Sequence, residues 1–333
     1  MVHPVLIPWL KLIARLTATV VLMGALLWRI DWPSFVDTFR SLDWRWWGAG
    51  LLVLLGSHWF AGVRWAHLAR PLGYEFSTLS FVLRFFEGQF FSLCLPTSIG
   101  GDVVKAYRLA PSAQGRLLAG CSVIADRLTG LSALAVLAGT TLMGLQWRLS
   151  LPTVALIGIA LLVSAAVLCM LAVSSLDRLV SVIPQGHRVR EFLSRLLPYQ
   201  QRPSLMAQAV GYSVLVQVGS VLGVALFARG MGLDVPLPAW FYTVPLVSLA
   251  MVLPISISGV GVREGGLAFL LSRFGVSPEQ GVALGLLWFL ATIVGGLLGG
   301  AVFLSGVTNL RNSHRSDKQA SHPDVLEPNP TNG

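Results

Sequence analysis

Long runs of apolar residues determine the solvent in which this chain folds. A helix needs roughly 20 such residues to cross a bilayer. Six runs approach or exceed that length, at 12–28, 46–63, 117–146, 151–173, 204–228 and 279–306. Of the 333 residues, 54% are hydrophobic and 12% are charged, whereas soluble domains carry about 25% charged residues. The sequence therefore predicts an all-α integral membrane protein, a helical bundle without a soluble catalytic domain.

Two shorter apolar stretches, 85–95 and 241–253, each end in a proline–glycine break and decide the topology. With Arg127 counted as buried in a span, eight spans would place 10 Lys and Arg inside and 13 outside if both stretches cross the membrane, against the positive-inside bias. If both are re-entrant helical hairpins, the division becomes 16 inside and 7 outside. We therefore expect six spans plus two hairpins, with both termini cytoplasmic; eight kinked spans are the alternative. As a helix, 85–95 would reach about 16 Å, half of a hydrocarbon core.

The more polar segments complete the predicted layout. Two of them, 31–43 and 176–199, are expected to lie along the membrane surface. The transmembrane domain is expected to cover 1–308, followed by a disordered polar tail at 309–333. The three cysteines have no disulfide or metal-ligand spacing, so we predict no metal and no cofactor. The net charge of +9 is dispersed between apolar runs, which indicates a multi-pass protein of the bacterial inner membrane and no nucleic-acid partner.

The two breaks resemble each other in sequence. At an offset of 158, Leu95–Lys105 and Leu253–Arg263 share Leu, Pro, Ser, Ile, a small residue, Gly, Val and a basic residue in the same order. Interrupted helices in two inverted halves mark the binding site of many transporters. The helix that resumes after a break presents free N–H groups, which favour an anion such as phosphate. The predicted binding positions in the breaks are Pro96, Ser98, Gly100, Gly101, Pro254, Ser256, Ser258 and Gly259. Tight turns without a ligand are the alternative.

Ionisable residues inside or beside the apolar runs are the second candidate group. Each charge in a helix centre costs about 2.5–3.5 kcal/mol on insertion scales, so such residues usually face the bundle interior and form pairs. We predict Lys105, Arg127 and Arg263 as cationic contacts to a headgroup. The predicted counter-ions or proton carriers are Glu87, Asp102, Asp126 and Glu264. The alternative is a set of internal salt bridges that fix helix packing, with Asp102 as a helix cap.

These motifs resemble those of the lysylphosphatidylglycerol synthase transmembrane, or flippase-like, superfamily. The similarity is carried by Phe90–Asp102 and Ser256–Gly265, with support from the pairs Arg64–Trp65 and Asp126–Arg127, and it covers roughly 5–310. It implies a membrane domain that moves lipids between leaflets. The synthases also carry a C-terminal soluble aminoacyl-transferase domain. Only a short polar segment follows the last apolar run here, so lysine transfer is not expected.

The leading functional prediction is a translocator of a lipid or lipid-linked substrate with an anionic headgroup. The site would lie near the membrane midplane, where the two breaks meet. Because the sequence has no ATP-binding loop, movement would be downhill or coupled to an ion through Glu87 or Asp126. One alternative is a polyprenyl-phosphate glycosyltransferase that uses Asp102 and Glu264, and another is an accessory subunit. The sequence leaves the lipid, the direction of movement and the oligomeric state open.

Overall fold

The computed structural model describes residues 6–28, 30–95, 100–110, 113–145, 175–185, 188–253 and 255–308, together with Ala160 and Ser164. All regular structure in these residues is helical, which agrees with the predicted all-α class. The thirteen α-helices among them are α1 (Leu6–Trp28), α2 (Trp32–Arg40), α3 (Trp44–Ala69), α4 (Thr78–Cys94), α5 (Gly100–Leu109), α6 (Ala113–Leu145), α7 (Leu176–Val182), α8 (Arg188–Ser194), α9 (Leu197–Gln201), α10 (Pro203–Gly230), α11 (Leu237–Val252), α12 (Val262–Leu271) and α13 (Pro278–Ser305).

Five of the six predicted spans coincide with the long helices α1, α3, α6, α10 and α13. The other predicted span, 151–173, and the tail at 309–333 lie outside the described residues apart from Ala160 and Ser164. By length and hydropathy, four described helices can cross a membrane, and α1 with α2 makes a fifth if this pair, bent by 93°, counts as one span. The number of spans therefore stays a prediction.

The surface segment predicted at 176–199 consists of the short helices α7, α8 and α9. Tyr199 anchors it to the bundle, because its hydroxyl donates to the Leu68 carbonyl at 2.7 Å. Burial raises the pKa of the Tyr199 phenol above its ordinary value. The next residue, Gln200, donates a hydrogen bond to Asp177 at the other end of the segment, at 2.7 Å, and lowers the pKa of that carboxyl.

The helix α4 is longer than the apolar run that predicted it. It begins at Thr78, because the Ser77 side chain accepts the Ser80 N–H as an N-cap. Its 17 residues span about 25 Å, close to a whole hydrocarbon core rather than half of one. Arg84 lies within this helix but is fully buried, so the charge that ended the apolar run does not end the helix.

In both hairpins the second helix folds back on the first, α5 on α4 and α12 on α11. In the first hairpin, α5 lies so close to α4 that a Cβ at Gly101 would lie 2.1 Å from the Gly88 carbonyl oxygen. In the second hairpin, the rings of Tyr242 on α11 and of Phe274 after α12 lie 6.0 Å apart, and Gly266 packs on Val247. Both predicted breaks are therefore helical hairpins. Their re-entrant insertion into a membrane stays a prediction.

Residue contacts give the direction in which α3 runs relative to α6 and α10. Along α3, Gly50 contacts Phe227 near the end of α10, and Arg64 contacts Ser213 near its middle, so the two helices are antiparallel. Arg64 contacts Asp126 on α6, and Tyr74, which follows α3, donates to the carbonyl of Gly115 near the start of α6. Hence α6 also runs opposite to α3.

The last helix, α13, instead runs parallel to α3. The Trp47 indole donates to the Leu287 carbonyl at 3.3 Å. About three turns further along α3 and two turns further along α13, His58 lies against Gly295. Because α6 is antiparallel to α3, the α4–α5 hairpin returns the chain to the side it left. The same holds for α11–α12 between the antiparallel helices α10 and α13. These directions support six spans with two returning hairpins.

The two halves of the chain repeat the same order of helices. Shifting the bounds of α3 and α4 by 158 gives 202–227 and 236–252, beside α10 (203–230) and α11 (237–252). The contacts correspond as well, since α4 packs on α13 and the equivalent α11 packs on α6. The corresponding helices α3 and α10 run in opposite directions, as an inverted repeat requires. The inverted repeat stays a prediction that this correspondence supports.

Candidate functional site

Lys105, the basic residue of the first hairpin, is held in place by α4. Its aliphatic stem lies along Gly88, where an added Cβ would lie 2.5 Å from the lysine Cε. The ammonium lies 4.1 Å from the centroid of the Phe85 ring and 5.9 Å from that of Trp65. Its carboxylate partner is Asp102, at 3.4 Å, and the two side chains are only 8% and 11% exposed. The ammonium is thus buried among aromatic rings beside one carboxylate.

Asp102 is shared between two cations. Its second oxygen lies 2.7 Å from Nε of Arg127 on α6. Asp102 occupies the first turn of α5, where the positive end of the helix dipole favours a carboxylate. The Arg127 side chain is 56% exposed. Arg127 is therefore the member of this group that a molecule outside the bundle can reach.

Arg64 and Asp126 form the buried pair behind this group. The Arg64 Nε donates to Asp126 at 2.7 Å, and its Nη1 donates to the Ser213 hydroxyl at 2.9 Å. Close approach is possible because Gly130 faces the guanidinium. This pair ties α3, α6 and α10 together. The structure thus places Asp126 in an internal salt bridge, the alternative interpretation of this residue, and pairs it with the Arg64 of the motif noted in the sequence.

Glu87 forms a second buried group with residues that the sequence analysis did not single out. It accepts two hydrogen bonds from Arg108, at 3.2 and 3.0 Å, and one from the Thr308 hydroxyl at 2.7 Å. Arg84 stacks on Phe76 and donates to the Thr308 carbonyl at 3.4 Å. Arg108 follows Lys105 by three residues and lies on the same face of α5. From this helical spacing Arg108 could have been predicted to join the site.

The charges of the second break neutralise each other. Arg263 donates twice to one oxygen of Glu264, at 3.0 and 2.7 Å, and both side chains are fully buried. The other Glu264 oxygen accepts the Gly261 N–H at 2.6 Å. Hence the carboxylate of Glu264 occupies the N-terminus of α12, where an external anion was predicted to bind. The Arg263 guanidinium also lies 4.7 Å from the Phe289 ring.

Helix α1 covers another part of the second break. The Ile257 N–H donates to the Thr19 hydroxyl at 2.9 Å, and Gly261 lies against Leu22. Thr19 was not predicted to contribute. In this break Ser258 has a left-handed φ of 52° and is exposed, and Gly259 and Gly261 also have positive φ. Ser256 is in an extended conformation and contributes no cap hydrogen bond to the short helix that follows it.

Other predicted positions fall partly outside the structure. Pro96, Ser98 and Pro254 lie outside the described residues. Gly100 and Gly101 open α5 and are buried. Gly101 permits the close contact with α4, which is a packing role.

The two breaks approach the middle of α13 from opposite ends. Leu93, near the end of α4, packs on Gly296, whereas Arg263 lies over the Phe289 ring. These α13 positions are seven residues apart, about 10 Å along the helix. Within the described residues, however, the charges of the two breaks share no ion pair and no hydrogen bond. The structure therefore places the predicted charges in three separate groups, around Asp102, around Glu87 and at Arg263–Glu264.

The charge balance differs between these groups. At the first hairpin, the bridge Lys105–Asp102–Arg127 and the Arg64–Asp126 pair behind it contain three cations and two carboxylates, an excess of one positive charge. We call this set the α5 charge cluster; it consists of Arg64, Asp102, Lys105, Asp126 and Arg127. Glu87 pairs with Arg108 in a separate buried group that also contains Arg84, and Arg263 and Glu264 balance each other at the second break. The described residues contain no group of three or more His, Cys, Asp and Glu that could hold a metal ion.

The apolar helices and buried charged hairpins define a multi-pass α-helical membrane protein. The chain belongs to the family described as the lysylphosphatidylglycerol synthase TM region, whose family model matches residues 12–300. This confirms the family predicted from the motifs, and it indicates a membrane protein that takes part in handling lipids. Comparisons with curated proteins and with solved structures gave no significant match to the chain.

Proposed function

We propose that this protein moves a membrane lipid, or a lipid-linked substrate, between leaflets and binds its anionic headgroup at the α5 charge cluster. The observation that carries the proposal is the sharing of one carboxylate, Asp102, by Lys105 and Arg127 at 3.4 and 2.7 Å. A cluster with one excess positive charge is costly in lipid. A headgroup phosphate beside Arg127 would remove that cost.

The first hairpin is a better anion site than the second because of one residue difference between the repeats. Lys105 corresponds to Arg263 at the offset of 158. Arg263 is followed by Glu264, which neutralises it at 2.7 Å. Lys105 is followed by Ala106, which carries no charge. The basic residue of the first hairpin therefore depends on a carboxylate that Arg127 also uses.

The arrangement of helices supports a transport mechanism. Corresponding helices of opposite direction, each followed by a hairpin, are the arrangement in which two inverted halves rock against each other around a central site. We propose six spans and two re-entrant hairpins in a bacterial inner membrane, with both termini in the cytoplasm. In the opposite state of the transporter, Arg263 would separate from Glu264. It would then have no carboxylate to itself, which is the situation of Lys105 in this structure.

A sugar-transfer enzyme is less well supported. Its predicted catalytic carboxylates were Asp102 and Glu264. Asp102 is bound by two cations, and Glu264 is bound by Arg263 and by a backbone N–H. Carboxylates engaged in this way are poor ligands for a metal and poor general bases.

The test is a translocation assay with purified protein in vesicles that contain acyl-labelled fluorescent phosphatidylglycerol. Dithionite destroys the label in the outer leaflet, so the quenched fraction measures movement between leaflets. We expect movement above that of empty vesicles, and a large loss in Arg127→Gln and Lys105→Gln. Arg40→Gln removes an exposed charge whose partner is Asp37 and should retain the wild-type rate. If wild type equals empty vesicles for phosphatidylglycerol, phosphatidic acid and phosphatidylethanolamine, the proposal fails.

A further inference from the structure

We infer that the headgroup bound at the α5 charge cluster is a phosphodiester with a single negative charge. This inference rests on the proposed function and adds the chemical class of its substrate. It follows from the number of charges in the cluster rather than from the shape of a cavity. In a low-dielectric interior the ligand that leaves no net charge is the one that binds best.

The cluster consists of one balanced pair and one bridge. Arg64 is committed to Asp126 at 2.7 Å and held by the Ser213 hydroxyl. Arg127 and Lys105 both use Asp102. These links account for three positive and two negative charges, so one monoanion makes the occupied cluster neutral.

Neighbouring charges belong to groups of their own. Glu87 lies one residue from the glycine that supports Lys105, but it pairs with Arg108 at 3.0 Å, in the group that also contains buried Arg84. Arg263 and Glu264 form their own pair at 2.7 Å. The excess charge is therefore located on the Lys105–Asp102–Arg127 bridge.

Headgroups of different net charge are separated by this count. A headgroup whose only charged group is a diester phosphate carries one negative charge and neutralises the cluster. A monoester phosphate carries about 1.5 to 2 negative charges at pH 7, so it leaves a negative excess. A zwitterionic headgroup brings an ammonium group with its phosphate and leaves the original positive charge, and a lysylated phosphatidylglycerol adds further positive charge.

The exposed side of the α5 charge cluster can accommodate a phosphodiester that binds at Arg127. Arg127 is 56% exposed, whereas Lys105 and Asp102 are nearly buried. A guanidinium binds two phosphate oxygens at once, and a diester has two such oxygens free. The attached glycerol or sugar and the hydrocarbon chains can then remain outside the buried bridge.

The experiment compares acyl-labelled phosphatidylglycerol, phosphatidic acid, phosphatidylethanolamine and lysyl-phosphatidylglycerol in the same vesicles at pH 7. For the wild type we expect phosphatidylglycerol to move about tenfold faster than the other three, equivalent to about 1.4 kcal/mol. Equal rates for all four lipids would overturn the charge inference but leave translocation intact. Movement of none of them would instead reject the proposed function.

Charge variants test the count directly. Asp102→Asn raises the excess to two positive charges and should shift the preference from phosphatidylglycerol towards phosphatidic acid. Arg127→Gln removes the excess and should shift it towards phosphatidylethanolamine; Lys105→Gln should do the same. Arg40→Gln changes an exposed charge outside the cluster, so it should keep the wild-type order of lipids.

Folding is checked by the elution profile and melting temperature of each variant in detergent. If Asp102→Asn fails to fold, the two glutamine variants still decide the question, because both predict the same change in lipid order. An unchanged order of lipids in folded Arg127→Gln and Lys105→Gln would overturn the inference.

Discussion

Arg64 and Asp126 form a buried ion pair between α3 and α6, and removing either charge should destabilise the fold. The two groups lie 2.7 Å apart and are nearly inaccessible. Removal of one partner of such a pair leaves the other charge buried and uncompensated, which costs about 3–5 kcal/mol. At about 2 °C per kcal/mol for a chain of this size, Arg64→Gln or Asp126→Asn should lower the melting temperature by about 6–10 °C.

The double variant separates this pairing from a general loss of packing. Arg64→Gln with Asp126→Asn leaves two neutral amides of similar size, and replacing both partners of a buried pair is often nearly neutral. We expect the double variant to melt within about 4 °C of wild type. The assay is thermal unfolding in a mild detergent, followed by circular dichroism and by the loss of the monodisperse elution peak.

The matched control is Arg40→Gln, since Arg40 and Asp37 form a largely exposed pair of the same charges. Water and salt screen such a pair, so its loss should leave the melting temperature unchanged. Additive effects in the double variant would refute the reasoning and would mean that each residue acts through other contacts. A near-neutral Asp126→Asn would return Asp126 to the role of a proton carrier.

Three further predictions concern the hairpins and the topology. Gly101→Ala should lower the melting temperature by several degrees, at a cost of about 1–3 kcal/mol, because its Cβ would lie 2.1 Å from two oxygen atoms of α4. The control is Gly120→Ala, whose Cβ meets nothing within 4 Å and which should be tolerated. Thr19→Val removes the acceptor for a backbone N–H at the second break, so hydrogen exchange there should rise about fivefold, for a loss of about 1 kcal/mol. Unchanged exchange would contradict the contact. In a variant that lacks the native cysteines, Asp37→Cys and Ser181→Cys should react with an impermeant reagent from opposite sides of the membrane; labelling from the same side would refute the six-span topology.

The positions of the elements could largely be predicted from the sequence. Apolar runs follow helices because a bilayer excludes unpaired backbone groups, so α3, α6, α10 and α13 were found within a few residues. The start of α4 was missed, because Arg84 ended the apolar run although it is buried within the helix. Burial of a charge depends on its partners, and these lie far away along the chain.

The membrane environment, the helices, the two matching breaks and the family follow from the sequence alone. Each of these is a local property, since hydropathy and motifs are defined by neighbours along the chain. The pairing of charges was decided only by the tertiary structure. Glu87 meets Thr308 across 221 positions and Arg64 meets Asp126 across 62, distances that local patterns do not encode. The close packing of the helices decides which of these side chains meet. As a result, Lys105 of the first hairpin shares Asp102 with Arg127, whereas Arg263 of the second hairpin is neutralised by its neighbour Glu264.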